Sequence, residues 1–145
     1  MDAEKLARAQ ERMPPLSKLL GVRLTSIAPD RITAEMDARP DLGNGSNILH
    51  GGAYMAFADY LGAIGTALNL RQGQTTTTVE SKTNFFAPAP IGTRVMAEST
   101  PLHRGRRTNV WQTRLTNAEG RLLALVTQTQ LVIEPQKSDE KPDGA

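Results

Sequence analysis

The sequence predicts an α+β fold in which a curved, mostly antiparallel sheet of about five to six strands wraps around one long central helix. Residues 53–70 are apolar on nearly every helical face, which is typical of a buried helix. The segments on either side alternate apolar and polar residues with the period of two that strands have, and short turns join them. Because one flat sheet cannot cover a helix on every face, we expect a curved sheet backed by a second subunit.

Composition limits the classes of protein to consider. A chain of 145 residues predicts one domain, residues 1–145, in which residues 134–145 form a charged, disordered tail. With 17 basic and 15 acidic residues the charge is too even for a nucleic-acid partner. No cysteine is present, which excludes disulfides and thiolate catalysis. The charged N-terminus lacks the apolar run of a signal peptide, so we expect a cytoplasmic protein.

The segment before the central helix predicts a short helix and a pair of strands. Residues 2–12 favour a helix that Pro14 and Pro15 end, and a short turn follows over residues 16–21. Strands are expected over residues 22–28 and 31–38, the second with Ile32, Ala34 and Met36 in alternation. Residues 40–47 are rich in Gly and Asn and read as a loop.

The segment after the central helix predicts four strands. Residues 75–86 are β-branched and aromatic, and residues 93–101, 108–116 and 121–133 follow as strands. A basic turn is expected at residues 103–107, and residues 117–120 form a turn that ends in glycine.

Two features conflict with simple burial of the central helix. Gly51 and Gly52 stand at its start, where a helix displays unpaired N–H groups. Asp59 lies among apolar residues about two turns further along, and a buried carboxylate without a partner is costly. The same apolar stretch contains His50, Thr66 and Asn69 as well, which argues against a membrane span.

With these elements in order, residues 19–133 resemble the hotdog-fold acyl-CoA thioesterases, in the branch of the phenylacetate-degradation and hydroxybenzoyl-CoA enzymes. The resemblance rests first on Asn44 six residues before His50-Gly51-Gly52 and on Asp59 nine residues after His50. It continues through Thr78-Val79-Glu80, Phe85-Phe86-Ala87-Pro88, Gly92, Arg104-Gly105-Arg106 and Gly120. It implies a hotdog fold and hydrolysis of an acyl-CoA.

The Gly51 N–H suits the binding of a developing oxyanion. It lies at the positive end of the helix dipole, and glycine permits close approach of a thioester carbonyl. The alternative is that Gly51 and Gly52 only let the helix pack tightly against strands; the resemblance favours the oxyanion role.

Asp59 is the expected base or nucleophile, and the sequence does not decide between the two. Nine positions put Asp59 on the opposite side of the helix axis from His50, so two antiparallel helices serve one substrate better than one does. The resemblance implies the same arrangement, with Asp59 of one subunit facing Gly51 of its partner. The alternative is a buried structural Asp.

The resemblance assigns supporting roles to three polar residues. Asn44 would help hold the water or the thioester, although an Asn before Gly is also an ordinary turn residue. The His50 ring would orient the loop, and Thr78 would bring a hydroxyl near the water, although the run of threonines from 75 to 78 leaves open which one faces the site.

Substrate contacts are expected from the helix start, the strand end and the basic turn. The guanidinium groups of the turn suit the phosphates of coenzyme A, although the same turn could be a solvated hairpin tip. The expected binding residues are Gly52, Tyr54, Phe57, Phe85, Pro88, Arg104, Arg106 and Arg107. No metal or redox cofactor is expected, since only two histidines occur and no carboxylate cluster accompanies them.

We therefore predict a thioesterase that hydrolyses an aryl- or medium-chain acyl-CoA and, by resemblance, assembles as a dimer of dimers. The alternatives are a non-hydrolytic acyl-CoA-binding or regulatory module on the same fold, and an enoyl-CoA hydratase. A pure binder has no need of Asp59, and the hydratases usually carry a histidine after the acid on the same helix, which is absent here.

Overall fold

The structure is a computed structural model that describes residues 3–136. Its elements in chain order are α1 (Ala3–Glu11), α2 (Pro15–Leu19), β1 (Arg23–Ala28), β2 (Arg31–Asp37), a 3₁₀ turn (Pro40–Leu42), α3 (Gly51–Ala67), β3 (Thr75–Phe85), β4 (Arg94–Arg104), β5 (Thr108–Thr116) and β6 (Leu122–Ile133).

The six strands form one antiparallel sheet in the order β1-β2-β4-β5-β6-β3, and α3 packs against it. Phe57 and Leu61 of α3 are fully buried against Ile32, Val95 and other apolar side chains that alternate along the strands. The predicted α+β hotdog architecture is confirmed.

Close approach of α3 to the sheet depends on two glycines. A Cβ at Gly62 would lie 2.3 Å from the Gln128 side chain, and one at Gly65 would lie 2.7 Å from the Trp111 ring. Both positions are buried. The helix therefore lies on the sheet where a side chain would otherwise hold it away.

One face of α3 is not covered within a single chain. Gly52, Met55 and Ala67 are exposed, and Met55 reaches 40% of its full accessibility. Asp59 is half-buried close to this face. We expected α3 to be covered on every face, and one chain alone does not provide that cover.

Three elements differ from the prediction by more than one residue or in type. Residues 15–19 form the helix α2 rather than only a turn, since Pro15 stands at its first position, where a missing N–H costs nothing. The helix α3 begins at Gly51 and ends at Ala67, earlier at both ends than predicted. The strand β4 continues past a bulge after Pro101 to Arg104, so His103 and Arg104 belong to the strand and the basic turn is shorter.

The two edges of the sheet differ. Helix α1 packs against β1, while the outer edge of β3 has no strand beside it within residues 3–136.

Beyond β6, Glu134 accepts a hydrogen bond of 2.8 Å from the Gln74 side chain. The rest of the predicted tail, residues 137–145, lies outside the described residues. Among those described, no helix has the length and apolar character needed to cross a membrane.

Candidate active site

His50 sets the geometry of the helix start. Its extended backbone makes it the N-cap of α3, and its ring Nδ1 accepts a hydrogen bond of 2.8 Å from the Gly52 N–H. Its own N–H donates to the Leu42 carbonyl at 2.8 Å. The next N–H, that of Gly51, has no acceptor within residues 3–136. The loop therefore presents one unpaired donor at the positive end of the helix dipole.

That donor lies at a pocket of about 450 Å³. The lining residues are Asn44, Ile48, Leu49, Gly51, Tyr54, Phe85, Phe86, Ala87 and Pro88. The Phe85 ring covers Gly51 so closely that an added Cβ would lie 3.1 Å from its Cζ, and the rings of Phe85 and Tyr54 meet edge to face at 5.9 Å. Burial raises the pKa of Tyr54, so its phenol stays neutral near pH 7.

Asn44 stands at the rim of this pocket. Its N–H donates to the Ile48 carbonyl at 3.0 Å, and its Oδ1 accepts from the Ser46 N–H at 2.8 Å. These bonds close the loop into a turn, as an Asn in that position often does. Its amide nitrogen Nδ2 makes no hydrogen bond within the described part of the chain, so it is available to a ligand in the pocket.

Asp59 lies elsewhere on α3, beside β3. The Thr78 hydroxyl donates to Asp59 Oδ1 at 2.7 Å, which shows which of the four threonines meets the carboxylate. Gln128 Nε2 approaches the Asp59 carbonyl oxygen at 3.1 Å and Oδ1 at 3.5 Å. Oδ2 makes no hydrogen bond within residues 3–136.

A bulge in β3 determines which hydroxyls face the helix. The register of β3 on β6 shifts between Thr78 and Glu80, so the half-buried positions pass from Thr76 and Thr78 to Ser81 and Thr83. The inner face of β3 is therefore polar along its length. The hydroxyls of Ser81 and Thr83 are buried without a hydrogen-bond partner in the described residues.

Gly51 and Asp59 do not meet at one place within a single chain. Eight residues separate them, which is about 12 Å along the helix axis. The pocket at Gly51 is not lined by Asp59. One subunit thus carries an unpaired N–H donor and a carboxylate at two separate positions.

The expected substrate contacts divide into three groups. Tyr54, Phe85 and Pro88 line the pocket. Gly52 is exposed and lies under the His50 ring on the other side of the helix start. Phe57 is fully buried in the core and does not line the pocket, because α3 turns it toward the sheet.

The basic residues lie at the far end of α3. Arg104 and Arg106 line a pocket of about 370 Å³ together with Arg71, and Arg107 lines a neighbouring one. Arg104 Nη1 donates to Asn69 Oδ1 at 3.4 Å, and Asn69 follows Gly51 by 18 residues, about 27 Å along a helix. The same chain therefore cannot place this group close to its own Gly51.

Sequence reasoning missed two glutamines near Asp59. Gln128 and Gln130 of β6 are both fully buried, although glutamine is usually exposed. A signal was available, because both are in phase with Val126 on the apolar face of the strand. Within residues 3–136, no three His, Cys, Asp or Glu side chains come together as metal ligands would.

Comparison with known proteins gives consistent matches. Residues 46–124 match the family model described as the thioesterase superfamily. The S. sahachiroi AziG structure is 31% identical, covers 85% of this chain and 99% of its own, and superposes with a TM-score of 0.82. A thioesterase of Haemophilus influenzae is 26% identical, with 92% of each chain covered and a TM-score of 0.83. A 1,4-dihydroxy-2-naphthoyl-CoA hydrolase of Listeria monocytogenes is 23% identical over 84% of this chain and 98% of its own.

Proposed function

The chain belongs to the thioesterase superfamily and is a thioester hydrolase with the hotdog fold, and we propose that it converts an aryl- or medium-chain acyl-CoA to the free acid and coenzyme A. The aromatic lining of the pocket at Gly51 supports an acyl group of this kind. A relative that hydrolyses an aryl-CoA, as its name states, is consistent with it.

The observation that carries the proposal is that the chain presents both an unpaired Gly51 N–H at the pocket and a half-buried Asp59 carboxylate. Within residues 3–136 the N–H has no acceptor and Asp59 Oδ2 makes no hydrogen bond. The thioester carbonyl binds to the Gly51 N–H, which polarises it as negative charge develops on oxygen. Asn44 lines the same pocket, and its Nδ2 holds the thioester or the attacking water.

Asp59 of the partner subunit completes the site. Three observations support this arrangement: the separation of about 12 Å within one chain, the exposed face of α3 and the open edge of β3. Two antiparallel copies of α3 would place each carboxylate beside the other copy's Gly51. The active unit is then a homodimer with two equivalent sites, and pairs of dimers form the tetramer.

The bond changes balance by either of two routes. As a base, Asp59 takes a proton from water while the hydroxide adds to the carbonyl carbon, the C–S bond breaks, and the thiolate takes the proton. As a nucleophile, Asp59 forms a mixed anhydride as the thiolate leaves. Water then cleaves the anhydride, which regenerates the Asp59 carboxylate and releases the free acid and the proton that the thiolate takes. Neither route requires a metal or redox cofactor. The proposed location of the reaction is the cytoplasm.

The basic cluster formed by Arg71, Arg104, Arg106 and Arg107 binds the phosphates of coenzyme A. Because it lies at the far end of α3, it serves the substrate held at the partner's Gly51. An antiparallel pair of helices brings the C-terminal end of one α3 past the N-terminal end of the other.

The test is release of free thiol from a panel of aryl- and alkyl-CoA thioesters by wild type and Asp59→Asn. Wild type should turn over at least one ester, and Asp59→Asn should lose a hundredfold or more in kcat while remaining a folded oligomer. Asp30→Asn, in the exposed turn between β1 and β2, is the matched control and should keep full activity. Binding of acyl-CoA without thiol release would instead indicate a binding module, and hydration of crotonyl-CoA a hydratase.

A further inference from the structure

A chain of hydrogen bonds leads from Asp59 into the core. The Thr78 hydroxyl contacts Asp59 Oδ1 at 2.7 Å, and Gln130 Nε2 contacts the same hydroxyl oxygen at 2.6 Å. Gln130 Oε1 in turn lies 3.0 Å from the Thr76 hydroxyl. Gln130 is the residue directly opposite Thr78 in the ladder between β3 and β6.

The charge on Asp59 determines the direction of every bond in this chain. An ionised carboxylate only accepts, so Thr78 must give it the one proton that a hydroxyl has. The Thr78 oxygen is then an acceptor toward Gln130, which must present its NH₂ group there. The carbonyl oxygen of Gln130 is left facing Thr76, which donates to it.

We propose that Gln130 is a positioning residue for the reaction, acting on Asp59 through Thr78. By occupying the acceptor side of the Thr78 hydroxyl, Gln130 keeps the hydroxyl proton pointed at Oδ1. Oδ1 is thereby engaged, and Oδ2 stays free to attack or to take a proton. This inference rests on the proposed function of Asp59.

The burial of Gln130 argues against a purely structural role. Gln130 is fully buried, and a polar side chain in that setting costs free energy unless its groups are bonded. An apolar residue of the same shape would fill the position without that cost. A polar side chain at this position is therefore explained by its effect on the Thr78 hydroxyl, which it orients toward the Asp59 carboxylate.

A double-mutant cycle on Gln130→Leu and Thr78→Val tests the coupling. Gln130→Leu alone should lower kcat about three- to tenfold, the range expected for one hydrogen bond, with KM unchanged. In the Thr78→Val background the same change should alter kcat less than about twofold, because the intermediary is already gone. An equal loss of kcat in both backgrounds would show a structural role and overturn the proposal.

The variants are chosen so that the fold survives. In Gln130→Leu, Thr78 keeps its bond to Asp59, and the Thr76 hydroxyl can turn its proton from Gln130 Oε1 to the Leu131 carbonyl, also 3.0 Å away. Both hydroxyls then still have an acceptor. Thr78→Ser retains the hydroxyl and should restore the full effect of Gln130→Leu. Gln112→Leu, a half-buried glutamine of β5 out of phase with the buried residues facing α3, is the matched control and should leave kcat unchanged.

A readout without turnover separates this inference from the proposed function. The side-chain amide resonances of Gln130, assigned by their loss in Gln130→Leu, should shift in both Thr78→Val and Asp59→Asn. If they shift while no acyl-CoA is hydrolysed, the hydrogen-bond chain stands, but the proposed function fails and with it the catalytic role of Gln130. If they do not shift, the proposal for Gln130 fails whatever the enzyme hydrolyses.

Discussion

Gly51 and Gly52 are adjacent in the chain, yet their N–H groups have different partners. The Gly52 N–H donates to the His50 ring, while the Gly51 N–H, at the pocket, has no acceptor among the described residues. The proposed oxyanion donor is therefore a single backbone group. A test must remove that group without disturbing the helix.

Gly51→Pro meets this requirement. Proline is tolerated at the first position of a helix, and His50 already has the extended backbone (φ −66°, ψ 138°) that a residue before proline requires. We expect kcat for thiol release to fall about 10²–10³-fold, as for loss of an oxyanion donor. Gly51→Ala keeps the N–H and introduces a similar contact with Phe85, so it should lose much less. Equal losses in both variants would assign the effect to the Phe85 ring instead.

At the scale of elements, the distance between α3 and the sheet is determined by Gly62 and Gly65. Alanine is the better helix former by about 1 kcal/mol, so Gly65→Ala would stabilise an isolated helix. Here the added Cβ would lie 2.7 Å from the Trp111 ring, and a fully buried ring cannot retreat into solvent.

Gly65→Ala should therefore destabilise the protein by about 1–3 kcal/mol, the usual cost of overpacking. The measurement is the midpoint of urea unfolding at fixed protein concentration. Combining Gly65→Ala with Trp111→Phe should cost less than the sum of the two single changes, because the smaller ring makes room for the methyl group. Additive costs would place the strain elsewhere.

The β4–β5 hairpin is the element that we propose to bind the phosphates of coenzyme A. Replacing both Arg106 and Arg107 by Ala should raise KM for an acyl-CoA about tenfold or more with kcat little changed, because the interaction is the same in ground and transition states. KM for the corresponding acyl-pantetheine thioester, which lacks the nucleotide phosphates, should not change. An equal rise for both substrates would contradict phosphate binding.

At the scale of the whole molecule, the proposed site belongs to two chains. Asp59→Asn and Gly51→Pro would be inactive for different reasons, and a mixed dimer of the two would contain one site with both groups intact. Coexpression in equal amounts should recover about a quarter of wild-type activity, given that half of the dimers are mixed and each has one good site. If each chain carried a complete site, mixing would restore nothing.

The order and type of elements were predictable because their causes are local. The apolar character of residues 53–70, the alternation in β2 and the glycine-ended turn before β6 each specify their own segment. Gly51 and Asp59 were likewise visible as residues that a simple core would not contain, whereas Asn44 was indicated only by the resemblance. Two elements were predicted less well. Pairing with β5 extends β4 beyond the point where the local pattern predicted its end. A proline at the first helical position allows residues 15–19 to form the helix α2 where only a turn was predicted.

The sequence by itself determined the helix, its glycine start and its one carboxylate, since these depend on residues close together in the chain. Only the tertiary structure decided that the Thr78 hydroxyl bonds to Asp59 and that the Gln130 side chain bonds to the same hydroxyl. The physical reason is that side chains in a strand alternate between two faces, so a single bulge after Thr78 decides which residues of β3 face the helix. That choice depends on the register with β6, in which Gln130 lies 52 residues after Thr78 in the chain.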